Sequence, residues 1–497
     1  MFQKPTVEQV QETASELGMA LPPEKAAAFL NEMGPVFEAY DLLDSLDDDI
    51  PPVNYPRGEI VEPSPSENDM NAWTVKVRID GAPEGKLFGK TVGIKDNVNL
   101  AGVPMANGSP TLAGHVPAFD ATVVTRLLDE GASIVGKTTC ECFCLSAGSH
   151  TSWPLPVHNP HLHGFSAGGS SSGSAALLAC GEIDLAIGGD QGGSIRVPAA
   201  FCGVVGMKPT YGLVPYSGIM PIEATVDHVG PMSRNVRDNA QMLEVLAGKD
   251  GLDPRQSVDH KPDYTASLGR GVDGLKVGIL KEGFELPLAE KDVTDATRSA
   301  AEKLAENGAV VEEFSLPEHH VLAALWAPLG MEGLTAQMML GNGMGYNWKG
   351  LYDVGLMEAH KDWRSRADEL STTLRIAMIV GRYAQKNYFG TYYAKGQNIV
   401  RRLTRKYDEA FAKYDVILTP TVVMKATRLP GPDADVSEIA ARAWEMLGAT
   451  SQYDLTGHPA LSLPYGYSDG LPIGVSIASA AYREDLIYQV AAVLEAD

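Results

Sequence analysis

Two glycine–serine clusters carry the densest chemical potential in the chain. The first reads Gly168-Gly169-Ser170-Ser171-Ser172-Gly173-Ser174 and the second Gly188-Gly189-Asp190-Gln191-Gly192-Gly193-Ser194-Ile195-Arg196, with Ser170 and Ser194 standing 24 residues apart. Glycines allow tight turns and let a ligand come close to the backbone. Each cluster adjoins the end of an expected strand or helix, where N–H groups lack partners. Consecutive N–H groups in such a turn form a nest for an anion. In acyl transfer that nest is an oxyanion hole. Ser194 closes its turn directly after Gly192-Gly193 and is placed to attack a carbonyl whose oxygen the nest holds. A serine nucleophile needs a base. No histidine adjoins either cluster on its downstream side, but Lys95 ends the apolar run Thr91-Val92-Gly93-Ile94. Lysine becomes a base only where burial or nearby cations disfavour its ammonium form. The Ser170 hydroxyl could carry a proton between Lys95 and Ser194. The competing reading of Lys95 is an ordinary salt-bridged surface lysine.

The elements that would position these groups alternate between strand and helix. Trp73–Val77, Thr91–Ile94, Ser133–Val135, Ile183–Ile187, Leu275–Leu280 and Val416–Leu418 read as strands. Thr122–Glu130, with Val123, Val124, Leu127 and Leu128 on one side, reads as a helix stopped by Gly131, and Ser174–Cys180 reads as another. Such βαβ alternation predicts an α/β fold, with a mixed, largely parallel central sheet covered by helices on both faces. Residues 6–47 show helical spacing, followed by the acidic, proline-broken stretch from Asp47 to Ser66. We expect an N-terminal helical extension and linker over 1–66. The catalytic domain then spans 67–497, with a smaller subdomain of substrate-pocket helices at about 262–415.

A hydrophobic content of 44% over 497 residues is ample for a large core. The net charge of −23 repels phosphate backbones, so nucleic acid is not an expected partner. No apolar run reaches the ~20 residues of a membrane helix. The start Met1-Phe2-Gln3-Lys4-Pro5 lacks the pattern of a signal peptide. The five cysteines are not spaced like a disulfide framework, which points to a reducing, cytoplasmic setting.

The stretch Gly168–Pro209 resembles the amidase signature family, whose hallmark is a GGSS-type cluster followed by a GGSIR-type cluster. TVGIKDN, over Thr91–Asn97, is similar to the family's lysine motif. Further family-like segments are Gly136–Thr139, Asp227–Met232, Leu418–Thr421 and Leu455–Ala460, so the resemblance runs from about Gly81 to the C-terminus. It implies amide hydrolysis through an acyl-enzyme on Ser194. Ser170, after a cis peptide bond, would bridge to Lys95 as general base and then acid. The N–H groups of Gln191, Gly192, Gly193 and Ser194 would form the oxyanion hole. Asp190 and Arg196 would brace the loop by pairing, and Ser171 would support Ser170. It implies no cofactor and no metal. Asp190-Gln191, the run from Ser149-His150-Thr151 to His163-Gly164, and the helical extension look most like the nitrile-pathway bacterial amidases, where the extension helps form a homodimer. The expected substrates are small aliphatic or aromatic carboxamides, with esters, anilides and carbamates as further options. The alternative is the glutaminase subunit of a tRNA-dependent amidotransferase.

Other motifs point elsewhere. Gly131–Thr138 matches the Walker A pattern, but Ile134-Val135 read as strand where that loop must be flexible. Gly164–Gly168 and Gly169–Gly173 match GxSxG without the strand a nucleophile elbow follows. Cys140, Cys142 and Cys144 near His150, His158, His161 and His163 suggest zinc, yet their alternate spacing is not that of a knuckle. Small buried residues are the expectation for the cysteines, and backbone-bonded loop residues for the histidines. Met331, Met338, Met339, Met344, Tyr346 and Trp348 read as core or as an apolar pocket.

Overall fold

The computed structural model describes residues 2–260 and 262–496. It divides into two units, one ending at Pro51 and one beginning at Pro52. The first is helical: α1 (Val7–Glu16), α2 (Pro23–Glu32) and α3 (Gly34–Asp44). Thr6 and Gln9 form a capping box that starts α1 by satisfying two otherwise orphaned N–H groups. Val10, Ala14, Ala26 and Phe37 are buried, whereas Leu17, Leu42, Leu43 and Leu46 are exposed.

The second unit is built on a 12-stranded sheet. Its strands are β1 (Ile60–Val61), β2 (Trp73–Asp80), β3 (Thr91–Lys95), β4 (Ser133–Thr138), β5 (Leu185–Asp190), β6 (Val205–Lys208), β7 (His228–Ser233), β8 (Lys276–Leu280), β9 (Val310–Phe314), β10 (Val416–Pro420), β11 (Ala460–Ser468) and β12 (Leu471–Ser479). They lie in the order β1-β2-β4-β3-β5-β7-β6-β11-β12-β10-β8-β9. The sheet is mixed, as expected, but its parallel share is smaller than the sequence suggests. β4, β3 and β5 run parallel, as do β10, β8 and β9, and the remaining neighbours are antiparallel. The parallel runs are those linked by helical crossovers. The antiparallel middle comes from β6, only four residues long, from β7, interrupted by Gly230-Pro231, and from the β11–β12 hairpin.

Among the helices that cover the sheet are α4 (Thr122–Asp129), α5 (Ser172–Cys180), α6 (Arg196–Cys202), α7 (Val236–Leu246) and α8 (Lys291–Glu306), while α9 (Glu318–Leu334) packs mainly on other helices. α5 is buried along nearly its whole length, matching its run of Gly, Ser, Ala and Leu, side chains small enough for close approach to the sheet. The main core joins β2–β5 to α4, α7 and the C-terminal helix Glu484–Glu495. No helix among the described residues is long and apolar enough to cross a membrane.

One topological detail positions the site. β3 and β5 are parallel neighbours, with Ile94 opposite Ile187, so Lys95 and Asp190 end adjacent strands at the same edge. Ligand sites in such sheets form beyond the carboxyl ends of the strands.

Candidate active site

Lys95 is fully buried and makes no salt bridge among the described residues. Its Nζ donates to Ser170 Oγ at 2.8 Å and to the Gly189 carbonyl at 3.3 Å. The Gly169–Ser170 peptide bond is cis. Ser171 does not bond the Ser170 hydroxyl. Its Oγ instead donates to the Gly189 carbonyl and accepts from the Gly189 N–H, each at 3.2 Å. The Ser171 N–H donates to the Ser194 carbonyl at 3.2 Å. Ser171 thus ties the start of α5 to the end of β5 and to the Ser194 loop. Ser174 adds a second tie, donating to the Ile187 carbonyl at 3.0 Å.

The 191–195 loop is held by a buried charge cluster. Asp190 accepts from the Gly193 N–H at 2.6 Å and from the Ile195 N–H at 3.1 Å. Arg196 Nε donates to Asp190 at 2.9 Å, and Arg196 Nη2 donates to Asp454 at 2.7 Å. Burial alone would raise Asp190, but Arg196 outweighs it and holds the carboxyl well below the usual range. Asp454, buried beside Asp190, is pushed well above it. Burial, reinforced by Arg196, brings Lys208 down to about 7 against the pull of Asp454. Asp190, Arg196 and Asp454 thus form one buried hydrogen-bonded cluster behind the loop.

Because Asp190 occupies the Gly193 N–H, that group is not available to a ligand oxygen. The N–H groups of Gln191, Gly192 and Ser194 have no acceptor among the described residues. Gly193 has φ of 137°, and a Cβ there would collide with Thr450. Glycine is required at this position.

Ser194 lines a narrow cavity of about 20 Å³. Its neighbours there include Cys144, Leu145, Ile222, Trp326, Trp444 and Leu447. No charged side chain lines it. Trp326, on α9, donates its Nε1 to the Gln191 carbonyl at 2.5 Å. Gln191 Nε2 in turn donates to the Tyr216 hydroxyl at 2.8 Å. Sequence reasoning missed Trp326, Ile222, Trp444 and Thr450, which no local motif surrounds, and Asp454, which directly precedes the family-like segment Leu455–Ala460. The methionine-rich segment, read as core or as an apolar pocket, supplies core through Met338 and Met339, while Tyr346 is exposed.

The other motifs resolve structurally. Lys137 of the Walker-like run lies on β4, buried, 3.6 Å from Asp96 and bonded to the Val98 carbonyl. A strand there leaves no phosphate cradle. His161 bonds the Cys202 carbonyl at 2.9 Å, and His158 stacks on His163 at 3.8 Å. Cys140, Cys142 and Cys144 are buried in an apolar cluster with Phe143.

The amidase family profile matches residues 60–488. An enantioselective amidase of Rhodococcus rhodochrous is 46% identical over 85% of this chain and 82% of its own length. One chain of the glutamyl-tRNA(Gln) amidotransferase of Staphylococcus haemolyticus is 35% identical, with 84% of each sequence covered. The crystal structure of native peptide amidase from Stenotrophomonas maltophilia superposes with a TM-score of 0.69 at 29% identity, covering 83% of each chain. With most of its length matched by one profile and aligned to these relatives, the chain belongs to the amidase family, the amidase-signature enzymes, and is a hydrolase of amide carbon–nitrogen bonds.

Proposed function

We propose that the enzyme hydrolyses small carboxamides with an apolar acyl part, by a relay in which Ser194 is the nucleophile, Ser170 the bridge and Lys95 the base. The observation that carries this reading is the buried 2.8 Å bond from Lys95 to Ser170, with no carboxylate paired to the lysine among the described residues. Ser194 Oγ attacks the amide carbon, its proton passing to Ser170 as the Ser170 proton passes to Lys95. The carbonyl oxygen takes the negative charge against the N–H groups of Gln191, Gly192 and Ser194. The C–N bond then breaks, and the proton returns from Lys95 through Ser170 to the leaving nitrogen, which departs as ammonia or amine. Water attacks the acyl-enzyme by the same route and releases the acid.

The walls formed by Leu145, Ile222, Trp326, Trp444 and Leu447 support apolar acyl groups. They argue against glutamine, whose ammonium and carboxylate need charged partners. That favours a free-standing amidase over a component of an amidotransferase. The exposed Leu42, Leu43 and Leu46 of the first unit support a homodimer, and five free thiols suit a reducing, cytoplasmic setting.

The test is hydrolysis of propionamide, benzamide, glutamine, an acetanilide and an aryl carbamate by the protein alone, each repeated with Ser194→Ala. Turnover of propionamide or benzamide, lost in the variant, is expected. Activity confined to glutamine, or absent without added partner chains, would overturn the reading.

A further inference from the structure

A second cleft, of about 450 Å³, lies where α9 meets the helices Thr372–Tyr388 and Thr391–Phe411. It shares no lining residue with the Ser194 cavity. Two carboxylates line it, those of Glu223 and Glu332, and among the described residues no lysine, arginine or histidine does. Glu332, near the C-terminal end of α9, is 4% exposed. Its carboxylate has no hydrogen-bond or ion-pair partner among the described residues. Gln385, which lines the same cleft, donates its side-chain N–H to the Glu332 backbone carbonyl at 3.0 Å and not to the carboxylate.

Glu223 is equally buried but fully occupied. Its Oε1 accepts from the Tyr393 hydroxyl at 2.6 Å, and its Oε2 accepts from the Thr225 N–H at 3.1 Å. Its stem lies on α9 at Gly333, where a Cβ would come within 2.1 Å of Glu223 Cγ. Glycine at 333 is therefore what lets Glu223 share a cleft with Glu332. Phe389, with φ of 54°, lines the same cleft and is 85% exposed.

A carboxylate taken out of water without a partner costs free energy until a cation joins it. For Glu332 that cation must come from outside the chain. A divalent metal ion does not suit the place, because it needs several oxygen or nitrogen ligands, and no group of three His, Cys, Asp or Glu side chains among the described residues could hold one. An organic ammonium does suit it. Such an ion pairs with a carboxylate through N–H donors, and its charge and hydrocarbon are both favoured beside aromatic rings.

We propose that this cleft is a binding site for a small alkylammonium ion, which donates to Glu332 and lays its hydrocarbon against Phe389 and Tyr393. Glu223 adds a second negative charge without spending the donors that Glu332 needs. Because the cleft and the Ser194 cavity have no residue in common, the ligand is a free amine and not the far end of an amide under attack.

The probe is n-butylammonium chloride, titrated into the full-length chain carrying Ser194→Ala. Ionic strength is held constant with sodium chloride, because a net charge of −23 gathers cations without any site. Calorimetry is expected to show one saturable site, and Tm should rise with n-butylammonium concentration. 1-Butanol and butyrate, with similar hydrocarbon and no positive charge, should bind at least about tenfold more weakly. Glu332→Gln keeps the shape and removes the charge. It should weaken n-butylammonium binding at least about tenfold and abolish the rise in Tm. Without the amine its own Tm should match or exceed that of the parent, because an unpaired buried charge is gone. Phe389→Ala, at an exposed position, should weaken binding about threefold. Every readout uses a protein without its nucleophile, so failure of the relay reading leaves this test standing. Absence of saturable n-butylammonium binding, equal affinity for 1-butanol, or unchanged affinity in either variant would each overturn the proposal.

Discussion

Arg196 Nε donates to Asp190 Oδ2 at 2.9 Å, and both side chains are shut away from solvent. The same carboxylate holds the Gly193 and Ile195 N–H groups, so one ion pair sets the curvature of the loop that ends in Ser194. Breaking a buried pair leaves an uncompensated charge, at a cost of about 3–5 kcal/mol. Arg196→Met should lose stability on that scale in urea unfolding and lose activity with it. Asp190 is depressed when folded, so its contribution is present above the unfolded carboxylate range and lost only as the pH falls through its low folded value.

Ser194→Ala should abolish turnover and leave the melting temperature within a few degrees of the parent. Lys95→Ala should lose about 10³-fold or more in kcat, the residue coming from the N–H nest and binding. Normal turnover in Lys95→Ala would exclude the relay.

Trp326 closes the cavity beside Ser194 and donates to the Gln191 carbonyl. Trp326→Ala should lower kcat/KM for benzamide about 10–100-fold, and for propionamide less, because a wall that a small acyl group barely touches is lost. Equal losses on the two substrates would show that Trp326 acts on the loop rather than on selectivity.

Gly193→Ala tests the loop backbone. A φ of 137° and the nearby Thr450 both oppose a Cβ. The expected outcome is a folded but destabilised protein, by about 1–3 kcal/mol, with kcat reduced more than KM is raised.

Asp227 is raised to about 8 by burial, despite Arg255. The folded chain thus binds this proton more tightly than the unfolded one. The stability it contributes is present below the unfolded value of 3.8 and is lost as the pH rises toward 8. Asp227→Asn cannot ionise, so its melting temperature relative to the parent should climb between about pH 4 and about pH 9. Calorimetry across that range checks the trend, and a flat difference would contradict it.

The legible parts of this protein are those written locally. Lys95, Ser170 and Ser194 lie in motifs whose glycines are needed for backbone reasons, so they can be read without knowing what packs around them. β2 to β5 carry apolar runs bounded by turns and are similarly plain. Asp454, which completes the Arg196 cluster, and Trp326, which walls the cavity, lie 258 and 135 residues from their bonding partners. Nothing in their own neighbourhoods distinguishes a pocket tryptophan from a core one. The Gly193 N–H looked like a free donor because the sequence does not say which N–H an adjacent carboxylate will take. The methionine-rich segment reads as core or pocket for a related reason, since apolar composition is shared by both, and Met338 and Met339 are core.

Beyond Gln191, Gly192 and Ser194, the cavity wall comes from stretches of chain outside the Lys95, Ser170 and Ser194 motifs. Trp326 sits on α9, Trp444 and Leu447 lie more than a hundred residues further on, and Ile222 lies before them all. On the proposed relay, chemistry and selectivity would sit on different segments, and variation on α9 or around residue 445 would change the acyl group accepted while Lys95, Ser170 and Ser194 stay untouched.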